Sequence, residues 1–284
     1  MIDLHTHSNA SDGTCTPSEL VEQAKKVGIK TLALTDHDTI DGLEEARAKA
    51  TELGLNFIVG IEFNIEVAFG EFHLLVYGMD VKNKKFLSLI EECTKNRIDR
   101  NLELCEMFVN KGIFITPEIL RKNFSGQIGR PHFAKILKEM KLVKSMQEGF
   151  DKFLANGKPF YLKTKGLDFE KALSTIHNAN GVAVLAHPMS LYLSWKNLTK
   201  KIIELKEAGI DGIEAWNAGT KPNHCRRLEK LGKELGLFVT AGSDFHGKNK
   251  IGHNLGLKST GGIIEEFYYT DNLKPALENR KSIL

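Results

Sequence analysis

The sequence predicts an α/β protein built on a largely parallel sheet, closed as a barrel or wound as an open layer. Three observations carry this. Seven short apolar runs recur along the chain, amphipathic stretches with readable ends separate several of them, and the runs are continuously apolar rather than alternating. Strands of that kind are buried on both faces, so helices must cover each side of the sheet. At 284 residues the chain suffices for one such domain, or for one that carries a smaller insertion.

The strand-like runs are MIDLHTH, KTLALTDHD, LNFIVGIE, FHLLVYG, GVAVLAHP, DGIEAWN and LFVTAGSDFH. Behind the first, Thr16 is placed to cap a helix, with Pro17 at its first position, Glu19 completing a capping box and Gly28 as the stop. The alternation fails between about residues 85 and 160. There Phe86, Ile90, Cys93, Ile98, Leu102, Cys105 and Val109 fall near helical spacing. A further helix is predicted from Pro131 in GRPHFAKILKEM, with Phe133, Ile136, Leu137 and Met140 on one side. The expected organisation is a β/α unit over 1–85 and 161–284, interrupted by a mostly helical insertion over 86–160. KNLTKKIIELK reads as a solvated helix face and Trp216 as core.

A hydrophobic fraction of 42% and a charged fraction of 26% are ordinary for a globular protein. No apolar run reaches the ~18 residues of a membrane span, and no basic-then-apolar leader is visible, so the cytoplasm is the expected compartment. Cys15, Cys93, Cys105 and Cys225 form no CxxC and read as free thiols. A net charge of +3 permits an anionic substrate, without the clustered basic face of a protein that coats nucleic acid; no stable nucleic-acid complex is expected.

Six of the ten histidines lie at or near the ends of strand-like runs, beside carboxylates. His5 and His7, two apart on a strand, face the same way and can share one ion. Asp12 follows in the next loop. TDHD brings His37, VGIE brings Glu62, FHLLVYG holds His73, AHP supplies His187, and SDFH supplies Asp244 and His246. Loops at the carboxyl ends of parallel strands converge on one face, so residues this far apart in sequence can meet there. Imidazole and carboxylate without thiolate suit Zn, Mn or Fe in an open site. Nine donors exceed what one ion takes; two or three divalent ions fit, with Glu62 able to bridge.

The motifs HTH…D, TDHD, GIE, H, AHP and SDFH, in this order, resemble those of the polymerase and histidinol phosphatase (PHP) family of metal-dependent phosphoesterases. The resemblance spans nearly the whole chain outside the insertion. It implies a distorted seven-stranded β/α barrel with an inserted helical subdomain. It also implies three ions, with Mn the first expectation. His5, His7, Glu62 and Asp244 would hold one, Glu62, His73 and His187 a second, and Asp12, His37 and His246 a third. The branch with a helical insertion includes 3′,5′-nucleoside bisphosphate phosphatases and a 5′→3′ exoribonuclease. The implied partner is therefore a small phosphorylated nucleotide or a short oligonucleotide.

Phosphate ester hydrolysis needs a nucleophile at neutral pH, and a metal cluster supplies one as bound hydroxide. No Ser or Cys motif calls for a covalent intermediate, so no side chain is expected as nucleophile. In IGRPH, Pro131 suits the first helical position, with Arg130 at the cap and His132 in the first turn, a setting that can bind phosphate. His132 is alternatively a metal ligand or a packing residue. Asp36 and Asp38 either orient ligands or cap the turn. Asn217, ending IEAWN, either lines the pocket or serves a turn, and YLKTKG is a weaker source of positive charge near substrate. Histidinol phosphate hydrolysis, C–N cleavage of the amidohydrolase kind and a non-enzymatic metal module are the competing functions.

Overall fold

A computed structural model of the chain describes residues 1–68 and 70–282. Seven strands, β1 (Ile2–Asp3), β2 (Thr31–Leu34), β3 (Asn56–Ile65), β4 (Phe72–Tyr77), β5 (Val182–Leu185), β6 (Gly212–Asn217) and β7 (Phe238–Gly242), form one sheet in sequential order. Leu4 N–H donates to Ala241, and Asp244 N–H donates to the His5 carbonyl, so β7 returns to β1 and the sheet nearly closes. This is a seven-stranded barrel rather than an open layer.

The α-helices among the described residues are α1 (Pro17–Lys26), α2 (Leu43–Glu52), α3 (Lys84–Asn110), α4 (Pro117–Asn123), α5 (Arg130–Glu139), α6 (Met146–Gly149), α7 (Phe169–Asn178), α8 (Trp195–Glu207), α9 (Pro222–Leu235) and α10 (Lys274–Ser282). None is long and apolar enough to cross a membrane. α1 begins as its sequence dictates: Thr16 Oγ1 accepts from Glu19 N–H, and Glu19 answers at the Thr16 N–H.

The sheet departs from all-parallel in one place. β4 runs antiparallel to both β3 and β5. Only residues 66–71 separate β3 from β4, and a parallel return needs a crossover of a dozen residues or more.

The helical segment has its own hydrophobic cluster, including Leu104, Phe108, Phe133, Leu137 and Phe160, with the rings of Phe108 and Phe160 stacked at 3.9 Å. α3 serves both cores. Phe86, Leu89 and Cys93 pack against the barrel, while Leu104, Cys105 and Phe108 enter the second cluster. The buried face of this helix differs from the expected stripe. Ile98, Leu102 and Val109 are exposed, and Arg100 occupies a buried position. All four cysteines are free and buried.

Candidate metal centre

The nine donors meet at one rim of the barrel. His5 and His7 follow β1, Asp12 lies in the next loop, His37 follows β2, His187 follows β5, and Asp244 and His246 follow β7. Glu62 lies within β3. His73 is near the start of β4 and reaches the same rim because that strand is antiparallel, pairing with Asn64 near the end of β3. Three loops leave their strands through non-glycine residues in the left-handed region: Asp38 at φ 53°, His187 at φ 24° and Asp244 at φ 53°. Such backbone costs ~1–3 kcal/mol per residue and persists only where its surroundings impose it.

The spacing between donors suits shared cations. His5 Nε2 and His7 Nε2 are 3.1 Å apart, and each is 3.3 Å from Glu62 Oε2. Asp244 Oδ1 lies 3.6 Å from the first and 3.5 Å from the second. The other oxygen of Glu62, Oε1, is 3.0 Å from His73 Nδ1 and 2.8 Å from His187 Nε2. Asp12 Oδ1 is 3.2 Å from His246 Nε2 and 3.9 Å from His37 Nε2. Metal–ligand bonds of ~2.0–2.2 Å put neighbouring donors ~3.0–3.5 Å apart around one ion.

Hydrogen bonds behind the rings fix which nitrogen faces the cluster. His5 Nδ1–H donates to Glu214 Oε1 at 2.8 Å, leaving Nε2 free. The Ser190 hydroxyl donates to the Glu71 carbonyl, so His187 Nδ1–H must donate to Ser190 Oγ, again leaving Nε2. His246 Nδ1–H donates to the Asp244 carbonyl. Backing of this kind sets the tautomer and aims the ring at a metal.

Burial by itself would keep His7 neutral, but hydrogen bonds with Asp244 and Glu62 raise it to about 9. Burial likewise opposes charge on Glu62 and Asp244, yet both carboxyls lie well below the usual carboxylate range. The imidazoles of His37, His5 and His73 act on Glu62, and Lys250 and His246 act on Asp244. His7 Nδ1 is buried without a hydrogen-bond partner among the described residues, and His37 Nδ1 lies 3.0 Å from Glu62 Oε2. Ionised carboxylates and imidazoles crowded within ligand distance of one another together fit divalent cations.

A family model described as PHP domain matches residues 3–157. The chain belongs to the PHP family. A 5′-3′ exoribonuclease of Haemophilus influenzae is 33% identical over 258 residues, covering 90% of this PHP chain and 94% of that protein. A 3′,5′-nucleoside bisphosphate phosphatase of Chromobacterium violaceum is 30% identical over 257 residues, 90% of each chain. A solved Chromobacterium violaceum structure, described as an amidohydrolase with sulfate bound and no metal, superposes with a TM-score of 0.87 at 29% identity, covering 98% and 96%. This PHP protein is an enzyme of the metal-dependent phosphoesterase class.

A cavity of about 780 Å³ opens beside the donors, between the barrel rim and the helical segment, and basic residues Arg97, Arg100, Arg130, Lys163 and Lys250 line it. Arg130 is the first residue of α5 and Pro131 the second, with Gly129 rather than Arg130 at the cap. The expected register is therefore one residue off. Arg130 pairs with Glu71 and lies 5.5 Å over the Tyr161 ring. His132 does not line the cavity; its Nδ1 accepts the Gly129 N–H at 2.9 Å and its ring edges against Phe124. Asn217 lines the cavity, and its Oδ1 accepts the Gly219 N–H. Asp36 accepts from Ser8 and Ser11 and so braces the loop that carries Asp12. Asp38 takes both Nε and Nη2 of Arg97, at 2.7 and 2.6 Å.

Sequence reasoning missed Glu214, Arg97, Arg100, Lys250 and the approach of His253, which donates to the Ser243 carbonyl and lines the cavity. Glu214 did leave a signal: a carboxylate inside the otherwise apolar run DGIEAWN.

Proposed function

We propose that this chain hydrolyses phosphate esters of nucleotides, either releasing phosphate from a nucleoside 3′,5′-bisphosphate or trimming nucleotides from the 5′ end of short RNA. His5, His7, Glu62 and Asp244 hold one ion in this reading, Glu62, His73 and His187 a second, and Asp12, His37 and His246 a third. Manganese is the first choice, and iron and zinc suit the same donors. The observation that carries the reading is the division of Glu62, whose two oxygens face separate donor groups at the mouth of a basic cavity.

Bound divalent ions would bring the pKa of a water towards ~7 and neutralise charge on the phosphoryl oxygens. The chain's own contribution is placement. Glu214, Ser190 and the Asp244 carbonyl hold three imidazoles in register. Lys163 and Arg130 draw the anionic substrate into the cavity, with the helical segment as its outer wall. A volume of about 780 Å³ lies in the range of small-molecule sites and suits a nucleotide or a short oligonucleotide end. Four free buried thiols accord with the reducing cytoplasm.

The structural neighbour described as an amidohydrolase favours C–N cleavage as a second reading. Against it, the group between the donor sets is Glu62, where amidohydrolases use a modified lysine. The experiment is phosphate release from adenosine 3′,5′-bisphosphate and trimming of a 5′-phosphorylated RNA trinucleotide, with Mn, Fe or Zn returned to stripped protein. Histidinol phosphate and a panel of amides serve as comparisons. Turnover of a nucleotide substrate, lost together with bound metal in Asp244→Ala, is the expected result. Cleavage of amides alone would overturn the proposal.

A further inference from the structure

The three donor groups are not braced alike. Glu214 and Ser190 back His5 and His187, and Lys250 pairs with Asp244. These three residues lie in or after the barrel strands β6, β5 and β7. No hydrogen bond or ion pair among the described residues joins them to the helical segment. Arg130 reaches the loop ahead of β4 through Glu71, and both of those side chains are partly exposed.

The group of Asp12, His37 and His246 differs, because two of its donors sit on loops that the helical segment holds from outside. Gln127 N–H, just ahead of α5, donates to the Ala10 carbonyl at 2.8 Å, two residues before Asp12. Gln127 Nε2 donates to Thr94 Oγ1 of α3 at 2.7 Å, which ties this brace to the long helix. Gly126 lies so close to the Asp12 loop that a Cβ would meet the Asn9 and Ala10 carbonyl oxygens at 2.4 and 2.5 Å. From α3, Arg97 also grips Asp38, the residue after His37, whose backbone is left-handed at φ 53°. Strain of that kind persists where neighbours impose it. Here the neighbours are Arg97 on Asp38 Oδ2 and the Asn64 N–H on Oδ1. His246, aimed by the Asp244 carbonyl, is held from the barrel.

We propose that the helical segment gates metal loading: its docking on the barrel assembles the seat of the third ion, while the barrel itself holds the seats of the first two. Undocking leaves Asp12 and His37 on loops free to spread. By linkage, an ion at that seat tightens the docking by the same factor. This rests on the three-ion reading above. Arg97 and Gly126 are then positioning residues, acting through Asp38 and the Ala10 carbonyl. The wall of the substrate cavity thereby also sets how many ions the cluster holds.

The test is stepwise Mn uptake by the metal-stripped chain, followed by calorimetry and by ion count after dialysis, in wild type, Gly126→Ala, Arg97→Gln and Arg97→Lys. Wild type takes up three equivalents. In Gly126→Ala and Arg97→Gln the first two bind as in wild type and the third weakens about 10–100-fold. Arg97→Lys keeps the charge but not the two-donor grip, and falls between. Hydrogen exchange gives the reciprocal readout. The Gln127 amide slows as the third equivalent binds, and His246→Ala, which removes a donor on the barrel side, abolishes that slowing. A third step unchanged in both Gly126→Ala and Arg97→Gln, or all three steps weakened alike, overturns the proposal. So does an amide that slows with the first equivalent or still slows in His246→Ala. A wild type that stops at two equivalents defeats the three-ion reading and the proposal with it, whereas three equivalents with an insensitive third step defeat the gate alone.

Discussion

Glu214 and His5 form a buried pair across the barrel, Oε1 accepting from Nδ1 at 2.8 Å, and the second oxygen of Glu214 accepts the His187 N–H at the same distance. One strand carboxylate thus aims an imidazole and fixes the strained backbone of another donor. Glu214→Gln keeps the shape but loses the charge that polarises His5. Metal affinity is expected to fall about 10–100-fold with little change in fold, read as ion content after dialysis against graded chelator beside a circular dichroism spectrum. Wild-type ion retention would show the pair to be ornamental.

Gly242 closes β7 against β1. A Cβ there would sit 2.2 Å from the His5 Cβ and 2.7 Å from the His5 backbone nitrogen, so the strands must separate. Gly242→Ala is expected to cost about 1–3 kcal/mol or more and to lower ion content, since the displaced residue is itself a donor. Thermal unfolding with and without added metal checks this. A normal midpoint with full ion content would contradict the packing described.

Metal uptake should depend on pH in a stated direction. In metal-free protein His7 is raised to about 9, the hydrogen bonds it donates to Asp244 and Glu62 outweighing its burial. At pH 7 it therefore holds a proton that an ion must displace, and protons compete with metal until the pH passes about 9. Apparent affinity is expected to rise from pH 6.5 to 9, with protons released on binding. Calorimetry in buffers of different ionisation enthalpy measures the release, and buffer-independent heats would refute it.

The helical segment depends on Phe108, which stacks on Phe160 at 3.9 Å and on Phe133 at 5.9 Å. Phe108→Ala is expected to cost ~3–5 kcal/mol. The loss should loosen the wall that carries Arg100 and Arg130, raising KM more than it lowers kcat. Substrate titration beside denaturant unfolding distinguishes this from a global collapse, in which both constants fail together.

Much of the centre was legible because its chemistry is carried by residue type. HTH, TDHD, AHP and SDFH name their donors, and a strand-and-loop pattern brings them to one face whatever the details of the sheet. The cap of α1 was equally plain, since Thr16, Pro17 and Glu19 satisfy one another locally.

What tertiary structure alone decided is everything set by partners distant in the chain. Glu214 stands out in its apolar run only as a misplaced carboxylate; its role shows when His5, 209 positions away, lies against it. Arg100 sits on the buried side of α3, where a periodicity count of apolar residues chose Ile98, Leu102 and Val109 instead. Burying a charge is costly, so a hydrophobic pattern places arginine outside, and only the fold shows where that cost is accepted. The antiparallel β4 followed from a connection too short to cross over, which brought His73 to the rim from the opposite chain direction. Residue chemistry thus named the donors, and non-local packing determined which groups aim them, which charge is buried and which end of each strand reaches the site.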